Sequence, residues 1–223
     1  MNKTTRTLVR RAAPLAALPL VALAGCGPGG DGGDAAAAGS DADLLARARG
    51  IHERVITHDT HDDINPANFT AETNYTQDLS TQVTLPKMEA GGLDVAWFVV
   101  YVGQGLLTED GFDQAYDQAI EKFEAIHRLT EEIAPDRIGL ALTSDDVERI
   151  AGEGRLVAMI GVENGYPIGM DARRVREFAE RGARYMSLAH NGHSQLADSN
   201  TGERDDVWLH DGLSDLGREV IAE

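Results

Sequence analysis

The densest group of chemically capable side chains in this sequence is His58-Asp59-Thr60-His61-Asp62-Asp63. In an extended backbone successive side chains alternate, so residues 59, 61 and 63 share one face and aim two carboxylates and an imidazole at common space. Neutral imidazole nitrogen and carboxylate oxygen suit Zn2+ or a similar divalent ion, and a single cysteine in the chain excludes thiolate cages. An acidic loop with solvated histidines accommodates the same six residues, so the segment alone leaves both readings open.

Two further groups stand where buried parallel strands deliver their active-site residues. Glu163 directly follows the apolar run 156–162 and precedes Asn164-Gly165. His190 follows Tyr185-Met186-Ser187-Leu188-Ala189 within Leu188-Ala189-His190-Asn191-Gly192-His193. Parallel α/β folds place their sites at the carboxyl ends of strands. A helix cap or a hydrogen-bonded loop residue fits each position taken singly. Three strand ends converging on metal-compatible groups make the stronger case together.

Other motifs fail. Asp198-Ser199-Asn200-Thr201-Gly202-Glu203 opens like a calcium loop, but its fifth position is Gly202, its sixth Glu203 and its twelfth Leu209. Gly161, Gly165 and Gly169 lack the order of a dinucleotide turn, and no Gly-x-Ser-x-Gly elbow presents a serine nucleophile. His127 lies in an amphipathic helical stretch, where a packed or hydrogen-bonded role is expected.

The elements that must position these groups alternate. Ser40 is a plausible N-cap for a helix with Leu44, Leu45, Ala48, Ile51 and Val55 on one stripe, and Val55-Ile56-Thr57 reads as a first short strand. The run 94–102 is a strand buried on both faces. Phe112, Ala115, Tyr116, Ala119, Ile120, Phe123, Ile126 and Ile133 form the stripe of a long helix closed by Pro135. Then follow a strand at 138–142, a helix capped by Thr143 or Ser144, strand 156–162, helix 172–181, strand 184–189 and helix 215–223 capped by Ser214. This rhythm predicts a parallel sheet with helical crossovers, either open and doubly wound or a (β/α)8 barrel. A complete barrel takes about 250 residues. About five strands are counted and Glu223 lies inside a helical pattern without a C-cap glycine, so the chain is expected to be the N-terminal part of a longer barrel.

Composition bounds the rest. The 223 residues hold 20 basic and 37 acidic side chains, and a formal charge of −17 argues against nucleic acid as a partner. Residues 1–11 carry Lys3, Arg6, Arg10 and Arg11 with no acid, and the 13-residue apolar stretch 12–24 is interrupted by Pro14 and Pro19. A membrane-spanning helix needs roughly 17–25 residues, so this is a secretory signal pattern. It ends in Leu23-Ala24-Gly25-Cys26, which resembles the lipobox of bacterial lipoproteins and marks Cys26 for lipidation. Residues 1–25 are therefore expected to be a leader, 26–39 a Gly- and Ala-rich tether, and 40–223 the folded part. Loss of the leader leaves 16 basic against 37 acidic residues, a charge of −21. Attachment to a membrane then rests on the lipid, and the expected location is the cell envelope outside the cytoplasm.

Five stretches together resemble the membrane dipeptidases, zinc peptidases that include the renal dipeptidase. They are Asp59-Thr60-His61-Asp62-Asp63; Leu85 to Gly92 leading to Val99-Val100-Tyr101-Val102; Val162-Glu163-Asn164-Gly165; Gly182 to Asn191; and Gly212-Leu213-Ser214-Asp215-Leu216-Gly217. The resemblance implies a (β/α)8 barrel, incomplete in this chain, that hydrolyses dipeptides with two zinc ions. It assigns His61 and Asp63 to one ion, Glu163 to the bridge between both, and His190 to substrate near the reacting carbonyl. Glycine is common after the bridging glutamate, and here Asn164 stands there. Two histidines for the second ion, an arginine and a further aspartate come from later strands, so at most one zinc is expected here. The implied partners are a dipeptide, a membrane reached through Cys26 and a second copy in a homodimer. A barrel hydrolase of lactams or esters, or a non-catalytic lipoprotein binding module, are the rival readings.

Overall fold

The computed structural model describes residues 40–223. The expected leader, the Cys26 lipidation site and the tether lie outside the described residues.

The sheet is organised around two apolar strands, β2 (Val95–Tyr101) and β4 (Leu156–Glu163), whose β-branched and aromatic residues fit a pleated surface buried on both sides. They pair in parallel from Val95↔Val157 to Tyr101↔Glu163. β1 (His58–Asp63) takes the free edge of β2. The other edge of β4 is shared: β3 (Ile138–Leu140) pairs with its first residues and β5 (Ala183–Met186) with its last. All four pairings are parallel, so all five strands end toward the same rim. This is the α/β architecture expected from the alternating pattern. Among the described residues it is an open five-stranded sheet rather than a closed barrel.

Helices supply the crossovers. α1 (Asp41–His52) precedes β1, and α2 (Leu85–Gly91) turns into β2 through Gly92, whose φ of 68° a side chain would strain. α3 (Glu109–Arg128) starts where the Thr108 side chain accepts the Gly111 N–H. Its stripe of Phe112, Ala115, Ala119, Phe123 and Ile126 joins Ala96, Phe98, Val100, Ala158, Ile160 and Val162 in the main core. α4 (Ser144–Gly152) is capped by Thr143 and contributes Ile150 to a smaller cluster with Val95, Val157 and Met159. Since side chains alternate, that second face also carries Trp97, Val99 and Tyr101 of β2 and Gly161 and Glu163 of β4. α5 (Arg174–Glu180), α6 (Thr201–Asp205) and α7 (Asp215–Ala222) complete the chain, the last capped by Ser214 as expected.

Two local expectations are corrected. The first strand is not Val55-Ile56-Thr57 but the acidic segment itself, because Thr57 is tied to Asp94 and Gly92 while backbone pairing to β2 begins at His58. The apolar stripe of α1 is not buried: Leu44, Leu45 and Ile51 are exposed. His127 behaves as expected, with Nδ1 bonded to Glu131 and Nε2 to the Arg181 carbonyl.

Candidate metal centre at the strand ends

β1 holds six residues of low strand propensity, and edge pairing to a strongly apolar neighbour keeps them extended. The register slips between Asp59 and Asp62: Asp59 faces Ala96 and Asp62 faces Phe98, so one extra residue bulges from β1. The bulge has two consequences. Asp59 does not join His61 and Asp63, as simple alternation predicts; its Oδ1 accepts the His61 N–H at 3.1 Å. His61 and Asp63 then project together over the second face of β2, toward Glu163.

Glu163 reaches the same space from β4, two strands away, with its side chain only 16% exposed. Its Oε2 lies 3.3 Å from His61 Nε2, and Asp63 Oδ1 lies 3.9 Å from the same nitrogen. One donor atom from each of His61, Asp63 and Glu163 falls within 4.8 Å of the others. The other oxygen, Oε1, faces elsewhere and is 2.9 Å from His190 Nε2, at the segment after β5. Thus the four residues that the resemblance assigns to the centre meet at one rim, His190 at the second oxygen of Glu163. A nitrogen and two carboxylates at that spacing fit a borderline-hard divalent cation.

Two neighbours were not singled out. The Tyr101 ring, beside Glu163 in the strand register, packs edge-on against His190 at 5.2 Å. Lys122 of α3 places its ammonium 5.8 Å from the Tyr101 centroid. Burial pulls the Lys122 pKa down, and the negative charges of Asp63, Glu121 and Glu163 oppose that and favour the ammonium. Below the triad the Tyr185 ring lies across Gly161 and against Trp97 at 5.2 Å; a methyl on Gly161 would overlap it. Burial, then Glu163 and Asp63, push the Tyr185 phenol up, so it remains a neutral floor.

Asp62 points to the opposite face. It is 8% exposed, its Oδ2 has no hydrogen-bond partner among the described residues, and it lies on the side of Phe98 and Tyr75. Burial chiefly, with Asp59 and Asp63 adding repulsion against the opposing His61, raises its pKa to about 6. An acid whose folded pKa is raised stabilises most below its unfolded value near 3.8 and loses that contribution as pH rises through about 6. In chelator-treated protein, Asp62→Asn should therefore gain on the wild type by about 2–3 kcal/mol between pH 4 and pH 7. Urea melts across that range test it, and parallel pH profiles would show that Asp62 ionises normally.

A family model described as membrane dipeptidase, peptidase family M19, matches residues 45–223. Dipeptidase aclJ of Aspergillus oryzae is 30% identical over 161 residues, covering 70% of this chain and 36% of the relative. Dipeptidase tcpJ of Claviceps purpurea is 28% identical over 152 residues, covering 66% and 35%. The chain thus spans about a third of the length of these curated relatives. Among solved structures, the probable dipeptidase PvdM from Pseudomonas aeruginosa matches with a TM-score of 0.72 at 23% identity, over 82% of this chain and 47% of that one. A metallo peptidase from Rhodobacter sphaeroides, liganded with a phosphinate mimic of the dipeptide L-Ala-D-Ala, matches with a TM-score of 0.58 at 21% identity, over 75% and 55%. These structural likenesses show that the fold is the same.

Proposed function

Because the chain belongs to the membrane dipeptidase family, peptidase family M19, we propose that the whole protein is a zinc-dependent dipeptidase and that β1, β4 and the segment after β5 supply one half of its centre. The convergence of one imidazole and two carboxylates within 4.8 Å carries this reading. His61 and Asp63 would hold one ion, and Glu163, whose two oxygens face different neighbours, would bridge to a second. A divalent ion held there supplies Lewis acidity toward a scissile carbonyl and lowers the pKa of water.

The chain's own residues orient and charge-balance that site. Tyr101 walls the His190 ring, so its Nε2 stays at the Glu163 carboxylate and can donate to a substrate carbonyl oxygen when that bond is exchanged. Lys122 sets a positive charge beside two carboxylates that would otherwise repel each other. The names of the curated relatives, and the dipeptide mimic held by the R. sphaeroides protein, support a dipeptide as substrate.

On the Oε1 side of Glu163, where a second ion would lie, the chain offers Glu163 and His190. A catalytic zinc takes about three protein ligands and a water. The 223-residue chain should therefore retain at most one equivalent of zinc and turn over glycyl or D-alanyl dipeptides negligibly. Metal analysis after dialysis beside a dipeptide assay tests both, and two tightly held equivalents would refute the assignment.

We also propose attachment to the cell envelope through a lipid on Cys26, supported by the sequence Leu23-Ala24-Gly25-Cys26 alone. Cys26→Ala should shift the protein from the detergent phase to the aqueous phase on phase partitioning. Equal partitioning, with no acyl mass on Cys26 in the wild type, would sink this.

A further inference from the structure

The residue after Glu163 adopts a backbone conformation that favours glycine, yet it is an asparagine. Asn164 has φ 71° and is fully buried. An L-residue in the left-handed region is strained, least so for asparagine, and glycine is not strained there. A buried carboxamide adds a desolvation cost unless its polar atoms are bonded. Here both are bonded, and the backbone N–H of the same residue adds a third link. Nδ2 donates to the Val102 carbonyl at 3.0 Å, just past β2. Oδ1 accepts the Tyr166 N–H at 3.3 Å, in the turn that follows β4. The backbone N–H donates to Ser187 Oγ at 2.9 Å, just past β5.

We propose that Asn164 is a positioning residue for the metal centre: it staples the carboxyl ends of β2, β4 and β5 at one point and so fixes the carboxylate of Glu163 where His61 and Asp63 meet it. The argument rests on the metal reading of the triad. Glu163 must hold its two oxygens toward different partners, His61 on one side and His190 on the other. Among the described residues, His61 is on β1, which pairs only with β2, and His190 follows β5, which pairs only with β4. Any relative slide of the three strand ends separates those partners. The sheet's own ladder ends at Tyr101↔Glu163 and Val162↔Met186, directly below the site, and Asn164 supplies the next cross-strand links beyond it. Glycine at this position would remove the strain and the carboxamide together. Strain relief and lost hydrogen bonds then offset each other in stability, while the side-chain link to the end of β2 is lost and the backbone link to Ser187 is kept.

That separation makes the test. Zinc affinity is measured on the 223-residue chain by competition with a chelating dye, cobalt substitution reports ligand geometry by its visible absorption, and thermal melts are recorded without metal. For Asn164→Gly we expect a melting temperature near that of the wild type, roughly tenfold weaker zinc binding and an altered cobalt spectrum, in the range found when residues supporting metal ligands are removed. Ser187→Ala, which takes away only the β5 link, should weaken zinc binding in the same direction by less, and it decides the matter if Asn164→Gly does not fold. Wild-type affinity and an unchanged cobalt spectrum in the folded variants would overturn the inference and leave Asn164 a packing residue. A wild-type chain that binds neither zinc nor cobalt would instead overturn the metal reading and the inference with it.

Discussion

Glu163→Ala is expected to weaken zinc binding by the 223-residue chain by at least about a hundredfold while leaving the metal-free fold intact. His61 and Asp63 would remain as donors, with side chains 45% and 69% exposed, and two exposed ligands cannot hold zinc against water in a site that needs about three. Glu163 is also the least exposed of the triad, so its bond to a cation is the one least weakened by solvent. Stability of the metal-free chain should change little, because the substitution removes a bond to each of two histidines and also removes repulsion from Asp63. The two effects are read together in one experiment. Excess zinc should raise the melting temperature of the wild type by mass action and leave that of Glu163→Ala unmoved. Zinc binding by the variant within threefold of wild type would remove Glu163 from the centre.

The parts of this site that were legible from sequence are those that depend on position along a strand. Glu163 and His190 follow apolar runs, and such runs declare both a buried strand and the end at which its last residue emerges. His61 and Asp63 were legible as donors but not as strand residues. Six residues of the type His-Asp-Thr-His-Asp-Asp carry no strand signal of their own, and only pairing with β2 makes them β1. The bulge was hidden for the same reason, since register is decided between strands, and with it went the expectation for Asp59. Lys122 could not be foreseen at all: it is a charged residue on a mostly polar helix, and only the packing of α3 brings it to Tyr101. Asn164 had a visible signal. An asparagine before Gly165, directly after a buried strand, marks a left-handed turn, and its side chain would then have to find buried partners. The helical stripe of α1 shows the converse limit, because periodicity reports that a face is apolar and not that anything covers it.

The turn that supports His190 depends on a contact that no propensity scale would reveal, and Gly217→Ala should expose it. Gly217 lies in the first turn of α7, where alanine is favoured over glycine by nearly 1 kcal/mol on helix propensity alone. Packing opposes this. A methyl group there would sit 2.1 Å from the Leu196 carbonyl oxygen and 2.9 Å from its carbon. Those are backbone atoms, so no rotamer change relieves the overlap. The same carbonyl accepts the Ser214 N–H at 2.9 Å, and Ser214 Oγ in turn accepts the Gly217 N–H at 2.9 Å, which fixes helix and turn to each other at the point of collision. α7 would have to lift off, taking Val220 out of the core. Overpacking of this kind costs about 3 kcal/mol or more, which outweighs the propensity gain. Net of that gain, the melting temperature should fall by roughly 4–8 °C. Gly152→Ala is the internal control, since nothing lies within 4 Å of the added methyl and propensity alone should decide there in favour of alanine. The damage should also reach the site, because the turn that α7 abandons runs on to Ser199, whose Oγ donates to the His190 carbonyl at 2.5 Å. If Gly217→Ala melts at or above the wild type, as Gly152→Ala should, then helix propensity governs this position and α7 is not docked on the 194–197 turn as described.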